Sequence, residues 1–313
     1  MNNKINVVSV VGPTASGKTR LSVEIAKLFS GEVVSADSMQ IYKGMDIATA
    51  KPDENEMQGV PHHLINFLDK GCVFSVGKYV ELAREVIFDI SSRGKLPIVA
   101  GGTGLYVDSL LNDVSFSKCS SDPEVRQKYE KLLEDKGVYF LLEMLKGVDK
   151  KSYDRLSSEI NPKRIIRALE FYETTGQPIT NQLENVNRKS PHNVLKIGLN
   201  CKDRSKLYER INRRVDIMVE KGLVHEAEEF YRTKTGETAA AAIGYKELLP
   251  YLQGREELNA CLERLKMNSR RYAKRQITWF KRDNDINWLY IDEYRDFEDL
   301  LSDAAAIIKA KDF

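Results

Sequence analysis

The sequence has little of what disulfide-rich, zinc-binding or membrane-spanning proteins require. Only four cysteines occur in 313 residues, and none forms a Cys-x-x-Cys pair, which argues against a disulfide framework or a zinc finger. No apolar run approaches the ~18 residues that a membrane helix needs. The first residues lead directly into a strand-like segment, so we predict no signal peptide and no membrane anchor. Unpaired thiols favour a cytoplasmic location.

An excess of charge of one sign is also missing. The 48 basic residues nearly balance the 46 acidic ones, and the net charge is +2. The chain as a whole is therefore no polycation, and a nucleic-acid site would have to be a local basic patch. Hydrophobic residues make up 42% of the sequence, which is enough for a large core, and the length suits two domains.

What the sequence does contain is an alternation of strands and helices. Apolar, β-rich segments at 5–11, 32–36 and 96–100 are separated by helical periodicity, for example over 80–90. This order predicts an α/β fold with a P-loop NTPase-like parallel sheet flanked by helices. Further strands are predicted at 194–199 and 288–291, and long amphipathic helices at 205–221, 225–233 and 258–282.

The central part of the chain has a different character. Residues 113–193 are charged, helix-forming and poor in strand signals. Asp122-Pro123 and Asn161-Pro162 are typical helix starts, because a polar capping residue precedes a proline in the first turn, and Gly176 is a typical helix end. We predict that 113–193 form a helical insertion domain, and that 1–112 and 194–313 together form the P-loop-like catalytic core.

The most specific local motif is a phosphate-binding loop. It matches G-x-x-x-x-G-K-[ST] in full, with a strand before it and a helix after it, and this context disfavours an ordinary glycine-rich turn. Glycines let successive backbone N–H groups face phosphate oxygens, Lys18 supplies a positive charge, and the Thr19 hydroxyl suits Mg²⁺. The loop consists of Gly12, Pro13, Thr14, Ala15, Ser16, Gly17, Lys18 and Thr19.

An acidic residue follows the second strand. Asp37 should face the same crevice as the phosphate loop, because ligands bind beyond the carboxyl ends of parallel strands. Its carboxylate could help to hold Mg²⁺, act as a general base or merely stabilise a turn. His62 and His63 have no third ligand nearby, and we expect them to pack beside the site. The phosphate-binding loop alone is compatible with kinases and other transferases. GTPases are disfavoured, because the sequence lacks their Asn-Lys-x-Asp stretch.

An ordered set of further motifs resembles the tRNA dimethylallyltransferase (tRNA isopentenyltransferase) family. The resemblance covers most of the chain, and the absence of a C-terminal zinc finger is typical of the bacterial form. One departure is Ala48, where the family pattern has glycine. The matching segments after the phosphate loop are 37–47, 49–52, Pro61-His62-His63-Leu64, 101–106, 122–126, 164–170, 242–247 and 271–280.

The resemblance implies a reaction and its chemical groups. The family transfers a dimethylallyl group from dimethylallyl diphosphate to the exocyclic N6 amine of the adenosine 3′-adjacent to the anticodon, and pyrophosphate leaves. By resemblance Asp37 is the base, the phosphate loop with Mg²⁺ on Thr19 grips the diphosphate, and Arg210 and Arg214 clamp it. Catalytic roles fall to Asp37, Thr19 and Arg214. A small-molecule or nucleotide kinase remains the main alternative, and a non-catalytic RNA-binding protein is a third.

A local basic patch is present where RNA binding needs one. Residues 264–282 contain eight basic residues, no acidic one, and interleaved aromatics that could stack on bases. Without the resemblance, a solvated basic face is nearly as plausible. The target base must be extruded to react, and Thr103 should contact it or its neighbours. We expect a monomer that binds the tRNA anticodon stem-loop through Asp37, Ser38, Met39, Gln40, Thr103, Arg126, Lys163, Arg164, Arg167, Arg271, Lys274 and Arg275.

Overall fold

The computed structural model describes residues 4–112, 122–184 and 190–311. The chain divides into two compact units, Met1–Leu111 with Ser190–Phe313, and Asn112–Lys189. The boundaries that the sequence suggested, at 112/113 and 193/194, lie within a few residues of this division. Residue 113 itself and Cys119 lie outside the described residues.

The first unit is built on a parallel six-stranded sheet, which confirms the predicted fold class. The spatial order is β3-β2-β4-β1-β5-β6. Valine, isoleucine and leucine side chains of the central strands pack against flanking helices, as Val8, Ile25 and Ile98 show, all with no exposed surface. The strands are β1 (Asn6–Val11), β2 (Gly31–Ser35), β3 (His62–His63), β4 (Leu96–Gly101), β5 (Asn193–Asn200) and β6 (Ile286–Tyr290).

Fifteen helices surround the sheet or form the second unit within the described ranges. They are α1 (Lys18–Leu28), α2 (Glu54–Met57), α3 (Val76–Ser92), α4 (Gly104–Leu111), α5 (Pro123–Lys136), α6 (Val138–Val148), α7 (Lys150–Ser158), α8 (Pro162–Thr175), α9 (Ile179–Glu184), α10 (Arg204–Glu220), α11 (Leu223–Arg232), α12 (Glu237–Ala240), α13 (Tyr245–Leu252), α14 (Leu258–Phe280) and α15 (Phe297–Ala310). Each long helix that the sequence predicted is present. The two-residue β3 was not predicted, because it is too short to show an alternating pattern.

The second unit is helical throughout its described residues, α5 to α9. Its predicted helix starts are correct. Asp122 Oδ1 accepts hydrogen bonds from the backbone N–H groups at the start of α5, and Asn161 Oδ1 accepts one from Arg164 at the start of α8. Gly176 ends α8 at φ 69°, a conformation that favours glycine. The unit has its own core, which includes Tyr129, Leu141 and Ile165.

A cluster of charges lies at the amino end of β2. The Glu32 side chain is only 2% exposed, and both of its oxygens are hydrogen-bonded. Arg93 donates to them at 2.5 and 2.8 Å, Lys95 donates at 2.6 Å, and a His63 ring nitrogen lies at 2.8 Å. Hydrogen bonds from Arg93 are the main reason that the pKa of Glu32 lies far below its usual value. We call Glu32, His63, Arg93 and Lys95 the Glu32 cluster.

The sequence-based expectation about membranes can be compared with the helices. Within the described residues, none of the helices is both long enough and apolar enough to cross a membrane. Cys72, Cys201 and Cys261 are free thiols.

Candidate active site

The phosphate loop connects β1 to α1, and two of its glycines are required by the backbone. Gly12 adopts φ 145°, and a Cβ atom there would lie 2.2 Å from the carbonyl oxygen of Leu199 on β5. Gly17 caps α1 at φ 91°. Because Gly17 has no side chain to cap the helix, the first amide groups of α1 stay available to an anion.

A cavity of about 320 Å³ opens at the carboxyl ends of the strands, within the first unit. Several residues predicted for different roles line it together. They are Thr14, Lys18, Thr19, Asp37, Ser38, Met39, Gln40, Arg214 and Arg275. The sheet topology explains this meeting, because the carboxyl ends of β1, β2 and β4 lie side by side in a parallel sheet.

Positive charge is concentrated at one end of this cavity. Burial and, to a smaller extent, nearby Arg214 lower the pKa of Lys18 to about 7, and Asp37 opposes the shift. Burial also lowers the pKa of Arg214. The Lys18 ammonium donates a 2.7 Å hydrogen bond to the Pro13 carbonyl. Two confined cations facing one carboxylate make a strong site for an anion with more than one negative charge.

The two candidate clamp arginines occupy different positions on α10. Arg214 lines the cavity. Arg210 is exposed, and its Nε donates a 2.8 Å hydrogen bond to the Ala15 carbonyl on the phosphate loop. Arg214 is thus placed to contact a bound anion, and Arg210 braces the loop.

Asp37 begins a turn just after β2. Its Oδ1 accepts hydrogen bonds from the backbone N–H groups of Met39 at 2.9 Å and Gln40 at 3.3 Å. The next residue, Ser38, donates its backbone N–H to the Thr103 hydroxyl at 3.1 Å. Thr103 lies in the loop after β4, so this hydrogen bond holds that loop against the turn that begins at Asp37.

Part of the cavity lining is apolar. It includes Ala48, Val215, Met218, Ile243 and Leu265. A cavity with a cationic end and a hydrocarbon-lined wall suits a diphosphate that carries a short apolar group.

The Glu226 carboxylate holds one segment of this wall. It accepts three successive backbone N–H groups, of Asp46, Ile47 and Ala48, at 2.7 to 2.9 Å. The Tyr245 hydroxyl donates a fourth hydrogen bond to it at 2.9 Å. Sequence reasoning missed Glu226, since nothing local distinguishes it from its acidic neighbours on α11.

The role predicted for the aromatics of α14 is wrong in part. Phe280 is buried, so its ring has no free face for RNA bases. Trp279 is half-buried: its indole donates a 2.7 Å hydrogen bond to Asp108, and the Arg282 guanidinium lies over its ring at 4.0 Å. Tyr272 faces the cavity. Phe280 is covered because α14 packs on other helices and buries part of its apolar surface.

Two residues of α14 line the cavity in roles that the sequence did not predict: Tyr272, named only as one of the aromatics of the basic patch, and Gln276. With Ser269 they lie at positions i, i+3 and i+7, so they share one helix face, and all three line the cavity. This spacing of polar residues on a helix that also carries apolar ones is the signal that could have found them.

The basic residues of α14 divide into paired and exposed groups. Arg264 pairs with Glu256, Lys266 pairs with Asp216, and Arg270 hydrogen-bonds Asn212. Arg271, Lys274 and Arg275 are exposed. This second group can present its charge to a large ligand, as can Lys281 and Arg282, which follow α14 and are also exposed.

The predicted RNA-binding residues of the second unit lie on α5 and α8. Arg126 pairs with Glu130, and Arg167 pairs with buried Glu170. Lys163 and Arg164 are exposed in the first turn of α8.

The two histidines make separate contacts. His63 belongs to the Glu32 cluster, and a His62 ring nitrogen lies 2.8 Å from the Val60 carbonyl while its side chain lines the cavity. Burial lowers the pKa of His62. Within the described ranges, no group of three or more His, Cys, Asp or Glu side chains could hold a metal ion.

Comparison with known proteins identifies the family. The IPP transferase family model matches residues 40–283. The chain is 49% identical over 304 residues to the tRNA dimethylallyltransferase of Caldanaerobacter subterraneus subsp. tengcongensis, with 95% of each chain covered. It is 46% identical over 288 residues to the Bacillus subtilis tRNA dimethylallyltransferase, with 92% and 91% covered.

Solved structures extend the likeness to the fold. The tRNA isopentenylpyrophosphate transferase of Bacillus halodurans superposes with a TM-score of 0.74 at 42% identity, covering 98% of this chain and 97% of that one. A eukaryotic dimethylallyltransferase acting on tRNA gives a TM-score of 0.77 at 30% identity, covering 91% and 74%. From its sequence, fold and cavity, the chain belongs to the IPP transferase family.

Proposed function

We propose that this protein transfers a dimethylallyl group from dimethylallyl diphosphate to the exocyclic N6 amine of the adenosine 3′-adjacent to the anticodon in tRNA. The observation that carries the proposal is the cavity, in which Lys18 and Arg214 face Asp37 beside an apolar wall. The names of the relatives support a tRNA substrate and a dimethylallyl donor.

The reaction breaks the bond between C1 of the donor and the diphosphate oxygen, and it forms a bond between C1 and N6. Negative charge grows on the departing pyrophosphate, where Lys18, Arg214 and the amides of the phosphate loop stabilise it. The amine is a weak nucleophile, because its lone pair is delocalised into the purine ring. Asp37 accepts the N6 proton as the new bond forms, and such assistance contributes typically ~10²–10⁴ in rate.

Magnesium fits the same end of the cavity. The Thr19 hydroxyl and the Asp37 carboxylate both line it and are oxygen donors of the kind that Mg²⁺ prefers. Two protein oxygens are enough for this ion, because it commonly binds through one or two protein oxygens together with substrate phosphates. When bound, it would neutralise charge on the diphosphate.

The RNA side of the proposal rests on exposed charge. Arg271, Lys274 and Arg275 present cations from α14, and Lys163 and Arg164 present cations from the helical unit. We propose that both groups contact phosphates of the anticodon stem-loop, and that Thr103, Met39 and Gln40 contact the extruded adenosine or its neighbours. A monomeric state and a cytoplasmic location stay predictions.

One experiment separates this function from its alternatives. The protein is incubated with dimethylallyl diphosphate, Mg²⁺ and unmodified tRNA, and the digested nucleosides are analysed by mass. We expect dimethylallyladenosine at one position. ATP hydrolysis or phosphate transfer without prenylated adenosine would instead indicate a kinase, and RNA binding with neither reaction would indicate a non-catalytic protein.

A further inference from the structure

A single side chain joins the phosphate loop to the loop that follows β4. Gln276 is 5% exposed and lies 262 residues from its first partner in the chain. Its Oε1 accepts the backbone N–H of Thr14 at 2.8 Å, and its Nε2 donates to the Gly102 carbonyl at 2.9 Å. The amide thus uses its acceptor on one loop and its donor on the other.

The bridge needs a side chain that both accepts and donates a hydrogen bond, as an amide does. Thr14 offers a donor and Gly102 offers an acceptor, so the bridging group must accept at one end and donate at the other. A carboxylate only accepts, an ammonium only donates, and a hydrocarbon does neither. The Gln276 side chain also lies very close to the Gly102 backbone, because a Cβ atom at Gly102 would be only 2.2 Å from Gln276 Nε2.

The bridge continues toward Asp37. The Tyr272 hydroxyl, one helical turn before Gln276, interacts with both the Gln276 and the Thr103 side chains. Thr103 in turn accepts the backbone N–H of Ser38, next to Asp37. A connected set of polar side chains therefore runs from the phosphate loop to the turn that carries the base.

We propose that Gln276 is a positioning residue that sets the distance between the donor-binding loop and the acceptor-side loop, and so aligns C1 of the donor with the amine that attacks it. This inference rests on the proposed function. Transfer between two separately bound substrates is sensitive to such spacing, and a misplacement of ~1 Å can cost ~10²-fold in rate. Phosphate binding is less sensitive, since Lys18, Arg214 and the α1 amides contact the anion without Gln276.

The first test replaces the amide with a group of similar length that makes no hydrogen bonds. Gln276→Met is compared with Gln253→Met, the same change at an exposed position outside the cavity. We expect the single-turnover transfer rate of Gln276→Met to fall ~10²-fold. The affinity for inorganic pyrophosphate, measured by calorimetry, should change by less than ~3-fold, and Gln253→Met should match the wild type in both measurements.

The second test uses Gln276→Glu, in which the hydrogen bond to the Gly102 carbonyl should form or break according to pH. An ionised glutamate repels the Gly102 carbonyl, whereas a protonated one can donate to it and still accept from Thr14. The ratio of the Gln276→Glu rate to the wild-type rate should therefore rise as pH falls from about 8 to about 6. Burial and Asp37 favour the protonated form, while Lys18, Arg214 and Arg275 on the same cavity wall favour the ionised one.

The outcomes separate this inference from the proposed function. A Gln276→Met rate equal to the wild-type rate, a loss confined to pyrophosphate affinity, or a Gln276→Glu ratio that is flat with pH would each overturn the positioning role while leaving the transferase function intact. Should Gln276→Met not fold, the pH-dependent ratio still decides. A wild-type protein that transfers nothing would overturn both.

Discussion

The two ends of β2 use charge in opposite ways. At its amino end, buried Glu32 is surrounded by Arg93, Lys95 and His63, and both carboxylate oxygens are hydrogen-bonded within the protein. Just beyond its carboxyl end, Asp37 faces Lys18 and Arg214 across a cavity, and the two cations outnumber the carboxylate. β2 thus separates a cluster whose charges are compensated within the protein from a cluster that keeps an excess of positive charge.

This difference teaches which end of the sheet binds ligands. A buried charge is tolerated when partners compensate it, and the Glu32 cluster compensates its charge internally. Burial lowers the pKa of both Lys18 and Arg214, and Arg214 also lowers that of Lys18, which is a free-energy cost that an anionic ligand removes. The amino edge therefore contributes stability, and the carboxyl edge contributes binding and chemistry.

The largest effect is expected at Asp37. Asp37→Asn keeps the Oδ1 acceptor for the turn but removes the base, so the single-turnover transfer rate should fall by ~10²–10⁴. Asp37→Ala should lose transfer as well. Affinity for the stem-loop RNA, measured by filter binding, should stay close to that of the wild type. Normal transfer by either variant would contradict the base assignment.

A smaller effect on binding is expected at Lys18. Lys18→Met removes a charged hydrogen-bond donor, and the affinity for pyrophosphate should fall by ~10- to 100-fold, measured by calorimetry. Lys27→Met, on the same helix but paired with Glu24 at the surface, is the matched control and should bind normally. If the wild type, Lys18→Met and Lys27→Met bound pyrophosphate with equal affinity, the phosphate loop would not be part of the binding site.

The pH dependence of pyrophosphate binding should follow the ionisation of Lys18. The pKa of Lys18 lies near 7 in the free protein, and a bound diphosphate favours the charged form, so binding above that pH takes up a proton. Affinity should therefore decrease as pH rises above about 7, by up to ~10-fold per pH unit. Calorimetry in two buffers of different ionisation enthalpy measures the uptake, which should disappear in Lys18→Met.

The smallest effect on catalysis is expected in the Glu32 cluster. Glu32→Gln should leave the transfer rate unchanged but lower the free energy of unfolding by ~1.5–3 kcal/mol, because charged hydrogen bonds are lost. The low pKa of Glu32 means that its stabilisation is present at neutral pH and is lost as pH falls below about 4.5.

Urea unfolding at two pH values checks this prediction, with Glu81→Gln as control. Glu81 pairs with Lys78 at the surface, where both side chains are more than half exposed, so its loss should cost little. A transfer defect in Glu32→Gln would show that the two ends of β2 are not independent.

Sequence reasoning succeeded where the signal is local. The phosphate loop, the helix starts at Asp122 and Asn161, and the strands β1, β2, β4 and β5 depend on neighbouring residues, and the structure contains them all. It failed for Phe280, which is buried, because a helix sequence does not specify which face its neighbours cover. It also could not separate Arg210 from Arg214, although Arg210 hydrogen-bonds the phosphate loop and Arg214 lines the cavity.

By itself, the sequence determined the α/β class, the anion-binding loop, the acid beyond β2 and membership in the IPP transferase family. Only the tertiary structure brought Gln276 to Thr14, Glu226 to the backbone of 46–48, and Arg93 to Glu32. The physical reason is the same in each case. These hydrogen bonds join residues 61 to 262 positions apart, and the register of the sheet and the packing of helices on it decide which distant polar groups meet.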